Sequence, residues 1–313
     1  MDEPAHPRAF FGTLRGMRPV LRPGVHVLRR ADRQLQLGLD PRHAVVLPDD
    51  EDVRGTLTKL RTATHRSGFT GQTEQAVLAL LADNDLLVDS DVLVPAASTR
   101  SAMPRPDLAA LVRAVGDRAR AGATQRSVAR IRVLPFGPPC STPLAEELAG
   151  LLGRVGIPAA ASSRRPAEDE VVALVGVGEP QRDLVDPWVR DGHAHLLLRV
   201  GEGAVTVGPF VRPGQTACLR CIDAHHTDAD PSWPLLVTQY ADLAGHDRPD
   251  GAAEPVDRLS TAIGTAWAAR DIASYVEGRA PSSWSTTIRL EPALTSLESR
   301  AWLRHPACGC GWG

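Results

Sequence analysis

Four of the five cysteines in this 313-residue sequence form two close pairs, and thiolate sulfur is a strong metal ligand. Cys218 and Cys221 are spaced C-x-x-C in "CLRC", and Cys308 and Cys310 are spaced C-x-C in "ACGCGWG". Two such pairs supply the ligands of a tetrahedral structural zinc site, which keeps no open position for water. The spacing predicts a structural zinc ion joining the last residues to the "CLRC" segment. The alternative is two unrelated pairs of reduced or disulfide-bonded thiols.

The fifth cysteine, Cys140, lies in "FGPPCSTP" between a predicted strand and a predicted helix. A helix N-terminus lowers the pKa of a thiol, which would suit a reactive cysteine, but a small buried hydrophobic residue is the favoured interpretation. The same stretch occupies the place of a phosphate-binding glycine loop. Pro138 and Pro139 lack the N–H groups that such a loop needs, and in "GVGEPQ" Glu179 would repel phosphate. We therefore expect no ATP site.

The segment "DAHHTDADPSW" concentrates polar side chains directly after the first cysteine pair: His225, His226, Asp228, Asp230 and Trp233. The histidines could form a second metal site or act as acid and base. The favoured alternative is an irregular polar loop whose aspartates cap turns and whose tryptophan packs inward.

Composition argues against two classes of partner. The formal net charge is -2 and the pI about 6.6, so no overall basic field would attract nucleic acid or an anionic membrane. Lys59 is the single lysine, which removes most candidates for a phosphate-binding ammonium group.

No apolar run is long enough to span a membrane and no export signal is evident, so we expect a cytoplasmic protein. Residues 1–16 show no periodicity and are predicted to be a loose tail.

Residues 17–95 are predicted to form a winged-helix-like unit. Three strand-like runs between Val25 and Leu47 predict an antiparallel meander, and two amphipathic helices follow it. "LLVDSDVLVP" is predicted to be a hairpin, the wing. Residues 96–106, rich in Pro, Ser and Ala, are the predicted linker.

Residues 107–313 show the pattern of an α/β domain. The runs "RIRVLPFG" and "EVVALVGVG" predict buried parallel strands with the helix "TPLAEELAGLLGRVGI" between them. A later long helix is predicted to bury an apolar face with Leu259, Ile263, Ala266, Trp267 and Val276. "TTIRLEP" and "SRAWLRHP" are predicted terminal strands.

The run "VTVGPFVRPGQTACLRCIDAHHTDADPSWP", taken with the terminal "HPACGCGW", resembles ThiF-type, ubiquitin-activating-like proteins of thiazole/oxazole-modified microcin biosynthesis. These are leader-peptide-binding partners of cyclodehydratases. The resemblance implies a degenerate ThiF-type, Rossmann-like domain after a peptide-recognition unit, and a homodimer. It also makes Cys218, Cys221, Cys308 and Cys310 the zinc ligands.

In that family the partner is a YcaO-type enzyme, which holds ATP and cyclises Cys, Ser or Thr of a ribosomally made precursor peptide. The resemblance thus implies a non-catalytic scaffold that binds the leader and presents it to the cyclodehydratase. Adenylating relatives need a glycine loop, an Arg and a Lys near the phosphates and an Asp for magnesium, whereas this sequence has "FGPPCS" in the loop position and no lysine after Lys59. Relatives that form thioesters need a cysteine between Ile222 and Ala307, and none is present.

The resembling recognition units bind the leader as an added strand beside a helix. The matching elements here supply the predicted peptide-binding residues: Ala44, Val45, Val46, Leu47, Glu74, Val77, Leu78 and Leu81. An ordinary hydrophobic core is the alternative for at least half of these side chains. Two other functions stay open. One is DNA binding, which "TEQAVLALLADN" disfavours because it has no basic residue, and the other is a divergent ATP-dependent adenylyltransferase.

Overall fold

The computed structural model describes residues 17–62, 68–93, 103–243, 252 and 254–311. It divides the chain into two compact units, Met1–Thr124 and Gln125–Gly313. The predicted tail (1–16) and most of the predicted linker (96–106) lie outside the described residues.

The first unit is built from short strands and helices: β1 (Pro19–Leu21), β2 (Val27–Arg29), β3 (Gln34–Leu37), β4 (Val45–Pro48), α1 (Glu51–Thr62), α2 (Gln72–Asp83), β5 (Leu87–Asp89), α3 (Ser90–Leu93), α4 (Arg105–Val115) and α5 (Ala119–Val128), whose end lies in the second unit. As predicted, β2, β3 and β4 form an antiparallel meander. Also as predicted, α1 buries Val53, Leu57 and Leu60.

The predicted hairpin at "LLVDSDVLVP" is wrong. β5 pairs with β1 instead, and the chain then turns directly into α3. The cause is a local cap, because the Asp89 carboxylate accepts the N–H of Asp91 at 2.9 Å and so favours a helical turn. Without a wing, the winged-helix part of the prediction has no support. α4 packs Leu108 and Val112 with Val88 of β5, which places this helix in the first unit.

The second unit alternates strands and helices before an antiparallel end: β6 (Ile131–Phe136), α6 (Ser141–Arg154), β7 (Ala159–Ala161), β8 (Val171–Val177), α7 (Arg182–Arg190), β9 (His195–Gly201), β10 (Ala204–Val211), α8 (Leu219–Ala229), α9 (Trp233–Leu243), α10 (Arg258–Val276), β11 (Thr286–Leu290) and β12 (Leu297–Ala301). The strands form one seven-stranded mixed sheet in the order β12-β11-β10-β9-β8-β6-β7. β7, β6, β8 and β9 are parallel, as expected of a Rossmann-like fold. In the described part of the chain, no helix is long and apolar enough to cross a membrane.

Helices cover both faces of the parallel strands, so these strands are mostly apolar. On one face α6 and α10 pack on Val133, Val175 and Leu198. On the other face Trp188 of α7 and Leu219 of α8 pack on the neighbouring strand residues. The sheet therefore fixes the position of α8, which the candidate site depends on.

Two predictions about helices in this unit are wrong. The segment "DAHHTDADPSW" is not an irregular loop, because it forms most of α8 and the start of α9. The long helix α10 buries a different face from the predicted one. Leu259 is 78% exposed and Ile263 39% exposed, whereas Trp267 and Val276 are partly buried against the core. Its buried face is made of small residues, and a Cβ at Gly264 would lie 2.5 Å from Val205. Close helix–sheet packing thus decides which face of α10 turns inward.

Candidate functional site

The four cysteines predicted to bind a metal come together at the start of α8. Cys218 immediately precedes the helix and Cys221 lies in its first turn, while Cys308 and Cys310 follow β12. The four sulfurs lie within 4.8 Å of one another. The Sγ–Sγ distances are 3.8 Å for Cys218–Cys221, 3.6 Å for Cys218–Cys308 and 3.4 Å for Cys221–Cys310.

These separations fit a metal site. A disulfide requires sulfurs about 2.05 Å apart, and all the cysteines are free. A tetrahedral ion with metal–sulfur bonds of about 2.3 Å holds its ligands about 3.8 Å apart. Three of the cysteines are buried and Cys310 is partly exposed. The cluster can therefore hold a metal ion with sulfur ligands alone.

The sulfurs perturb one another's protonation. The Cys218 thiol donates a hydrogen bond to Cys221, and this bond, together with burial, raises the pKa of Cys218. Burial and the neighbouring sulfurs raise the pKa of Cys310 to about 11. Since a metal coordinates thiolate, an incoming ion must displace these protons.

Hydrogen bonds connect the cysteine cluster to the end of the sheet. The Trp302 indole N–H donates to the Thr287 hydroxyl at 2.9 Å, and the Ala217 N–H donates to the Ser285 hydroxyl at 2.8 Å. Trp302 is buried against the cluster. These contacts link the two cysteine-bearing segments to the end of the sheet.

Beside α8 lies a cavity of about 550 Å³, which sequence reasoning missed. It lies where β8 and β9 end, the usual ligand position in open α/β sheets. Arg182 donates two hydrogen bonds to the Asp223 carboxylate, at 2.7 and 2.8 Å, and one to Glu179 at 3.0 Å. Glu179 also pairs with Arg199. A charged residue within the apolar strand "HLLLRVG" is the sequence signal that marks Arg199.

Aromatic groups complete the cavity wall. Trp233 donates its indole N–H to Asp223 at 3.0 Å, and its ring stacks on His226 with centroids 4.2 Å apart. Burial and nearby carboxylates raise the pKa of Tyr240 to about 12, so its hydroxyl stays protonated at neutral pH. Gly201 leaves room for that hydroxyl, because a Cβ there would lie 2.8 Å from it.

Burial opposes the charge of Asp223, but the hydrogen bonds and positive charge of Arg182 prevail and lower the pKa of this carboxyl. For the same reason the pKa of Arg182 is raised despite its burial. The Nε of Arg199 is buried with no hydrogen-bond partner among the described residues. The cavity is thus lined by ionised groups that are mostly paired with one another.

In the phosphate-binding position, the loop's own carbonyl groups occupy the backbone N–H donors at the start of α6. The first two N–H groups of α6, those of Ser141 and Thr142, donate to the carbonyls of Pro138 and Pro139 at 2.9 and 3.1 Å. A Cβ at Gly137 would lie 2.4 Å from the Val177 carbonyl oxygen, so the ends of β6 and β8 touch here. Cys140 is exposed beside them, which corrects the expectation that it is buried.

The predicted peptide-binding residues fall into three groups. Five of them have side chains in the core of the first unit: Val45, Leu47, Val77, Leu78 and Leu81. Glu74 caps α2 by accepting the N–H groups of Thr70 and Gly71, and it pairs with Lys59. Ala44 is half-buried, and Val46 is 42% exposed.

β4 is an edge strand of the meander. Every second residue of β4 exchanges backbone hydrogen bonds with β3, and just beyond the strand the Asp49 N–H donates to the Arg33 carbonyl at 2.9 Å. By that alternation the N–H and C=O groups of Val45 and Leu47 point toward β3, whereas the N–H and C=O of Val46 point away from it. Within the described ranges no strand pairs with this outer edge.

No family model matches this sequence, and no curated protein does. Solved structures share its fold. The heterocyclase TruD superposes with a TM-score of 0.67 at 16% identity, over 94% of this chain and 42% of that chain. A heterocyclase in complex with substrate and cofactor gives a TM-score of 0.65 at 18% identity, over 93% of this chain and 39% of that one. The chain thus spans about two fifths of the length of these heterocyclases.

A third similar structure has nearly the same length as this chain. Escherichia coli MccB, solved with ATP, superposes with a TM-score of 0.62 at 11% identity, over 94% of this chain and 99% of that one. At such identities the likeness shows the fold. Because it covers 94% of this chain, it extends into both compact units.

Proposed function

We propose that this chain binds the leader of a ribosomally made precursor peptide through its first unit and presents the peptide to a separate YcaO-type cyclodehydratase. The observation that carries the proposal is the open outer edge of β4. A peptide strand added there would find the outward N–H and C=O of Val46. The fold shared with heterocyclases supports this assignment.

In this proposal a separate cyclodehydratase carries out the cyclisation, and this chain acts as its non-catalytic, cytoplasmic, peptide-binding subunit. A homodimer through the second unit completes the proposal.

The edge of β4 can be tested with one substitution. Val46→Pro removes an N–H that the meander does not use, and proline is tolerated on edge strands. We expect leader affinity, measured by fluorescence anisotropy with labelled leaders from neighbouring precursor genes, to fall about 5- to 100-fold as one interchain hydrogen bond is lost. Val46→Ala keeps the N–H and is the matched control. Equal affinities of the two variants would show that the leader binds elsewhere.

We also propose that the ion in the cysteine cluster is zinc and that it is structural. The sulfur separations support a tetrahedral ion, and four protein ligands leave no position for a reacting water. Elemental analysis of the purified protein tests this. One zinc per chain, lost on substitution of Cys221 by serine, is the expected result, and protein purified without zinc contradicts it.

A divergent ATP-dependent adenylyltransferase is the second candidate, because MccB solved with ATP shares the fold over nearly its whole length. The donors at the start of α6 count against it, since the loop's own carbonyls occupy them. Pyrophosphate exchange in the presence of leader peptide separates the two functions. ATP-dependent exchange above background would favour the enzyme.

A further inference from the structure

β12 is an edge strand with both faces exposed. All five of its residues, Leu297–Ala301, are exposed, and Leu297 is 57% exposed. The strand ends the seven-stranded sheet, and among the described residues no strand pairs with its outer side. Such an edge can accept a further strand, because its outward N–H and C=O groups lack strand partners. β12 therefore offers a binding surface that the proposed leader site on β4 does not use.

The pairing of β12 with β11 determines which backbone groups point outward. Directly after β12, the Trp302 N–H donates to the Ser285 carbonyl at 2.7 Å. Because hydrogen-bonded residues alternate along an antiparallel ladder, the N–H and C=O groups of Glu298 and Arg300 also point toward β11. Those of Ser299, and of the residues two positions to either side of it, point away from β11 and are available to another strand.

The charged side chains of β12 are arranged symmetrically. Glu298 and Arg300 flank Ser299 and share one face of the strand, where both line the cavity. Neither has an ion-pair partner in the described part of the chain, since Arg289, opposite Glu298 on β11, pairs with Glu291 instead. A strand that brings the opposite order of charges would therefore pair with both.

We propose that β12 pairs with β12 of a second copy of this chain, antiparallel and around a two-fold axis at Ser299. In that register the N–H of each Ser299 donates to the carbonyl of the other, and Glu298 of each copy lies opposite Arg300 of the second copy. These charged pairs occupy the close, non-hydrogen-bonded positions of the ladder, where opposite charges attract. A parallel pairing would instead place like charges beside one another.

The order of residues fits a second copy better than an unrelated peptide. Reversing Glu298–Ser299–Arg300 places each charge opposite its counter-charge, so a single interface pairs both glutamates with both arginines. On the other face of the strand, Leu297 of each copy would lie beside Ala301 of the other. This inference rests on the homodimer of the proposed function and names its surface, and it does not depend on leader binding.

Sedimentation equilibrium of the full-length, metal-loaded protein tests the proposal, and we expect a dimer at micromolar concentration. Glu298→Arg leaves two positive charges on each strand and should weaken the dimer roughly tenfold or more, because two attractions become repulsions. Arg300→Glu leaves two negative charges and should weaken it similarly. A mixture of the two variants restores both opposite-charge pairs and is expected to form a heterodimer, which also shows that each variant folds.

Ser299→Pro removes the N–H at the two-fold axis. It should raise the dissociation constant of the dimer about 5- to 150-fold, because two symmetry-related hydrogen bonds are lost, and proline is tolerated on an edge strand. Ser299→Ala keeps the N–H and is the matched control. A monomeric unmodified protein overturns this proposal and the homodimer together. If Glu298→Arg and Ser299→Pro dimerise as tightly as the unmodified protein, pairing through β12 is overturned and the homodimer uses another surface.

Discussion

Asp223→Asn tests whether the Arg182–Asp223 pair holds the cavity together. The side chains of Asp223 and Arg182 are 13% and 11% exposed. Removing one partner of a buried ion pair costs about 3–5 kcal/mol, because the other charge stays buried without compensation. Some solvent reaches this pair, Arg182 keeps its hydrogen bond to Glu179, and asparagine can still accept the Trp233 N–H. We therefore expect a loss of about 2–3 kcal/mol.

The six tryptophans provide a local probe, since all of them follow residue 124 and so lie in the second unit. Urea unfolding followed by tryptophan fluorescence therefore reports this unit. With a slope of about 2–3 kcal/mol per molar urea, the midpoint should fall by about 1 M. Asp183→Asn is the matched control, because the Asp183 side chain is 99% exposed and 3.9 Å from its partner Arg220, and we expect its midpoint to be unchanged.

The pH dependence has a defined sign. Arg182 lowers the pKa of Asp223 in the folded state, so the pair stabilises the fold above the ordinary carboxyl pKa of about 3.9. That contribution is lost as the pH falls through the lowered value. The difference between the unmodified protein and Asp223→Asn should therefore be constant near neutral pH and shrink in acid. Equal midpoints for Asp223→Asn and Asp183→Asn at pH 7 would refute the reasoning.

Two further predictions concern the sheet. His195 is buried, and burial lowers its pKa to about 4. The free energy of unfolding should therefore decrease by about 3 kcal/mol in all as the pH falls from about 6.5 to 4. His195→Leu should flatten that part of a pH series of unfolding free energies. Gly137→Ala should cost about 3 kcal/mol or more, because its Cβ would meet the Val177 oxygen at 2.4 Å. Gly203→Ala, with a similar positive φ and nothing within 4 Å, should cost about 1 kcal/mol, and equal unfolding midpoints would contradict this.

The sequence predicts those features that depend on local spacing or periodicity. Cysteine pairs at C-x-x-C and C-x-C are visible in a few residues, and apolar runs mark β6 and β8 because both faces of the parallel strands are buried. The sequence of α8 does not indicate a helix, because its polar residues outnumber its apolar ones. Its buried residues cluster at one end, where Leu219 and Ile222 pack.

Features that depend on long-range packing could not be predicted. The close approach of α10 to β10 decides which face of the helix turns inward. Small residues permit this approach, and no pattern of large apolar residues in the sequence indicates it. The cavity depends on the pairing of Arg182 with Asp223, 41 residues away in sequence. Neither residue has a distinguishing pattern around it, so their meeting follows only from the order of strands in the sheet.

The cysteine cluster and the cavity should be energetically coupled through α8. This helix has 11 residues, and Cys221 lies only two positions before Asp223. Losing the ion would release the first turn of α8, and Asp223 would then no longer be held against Arg182. Asp223→Asn should consequently cost about 2–3 kcal/mol in the metal-loaded protein and much less in protein stripped by a chelator. Equal costs in the two states, measured by the same urea titration, would show that the helix does not transmit the order imposed by the metal.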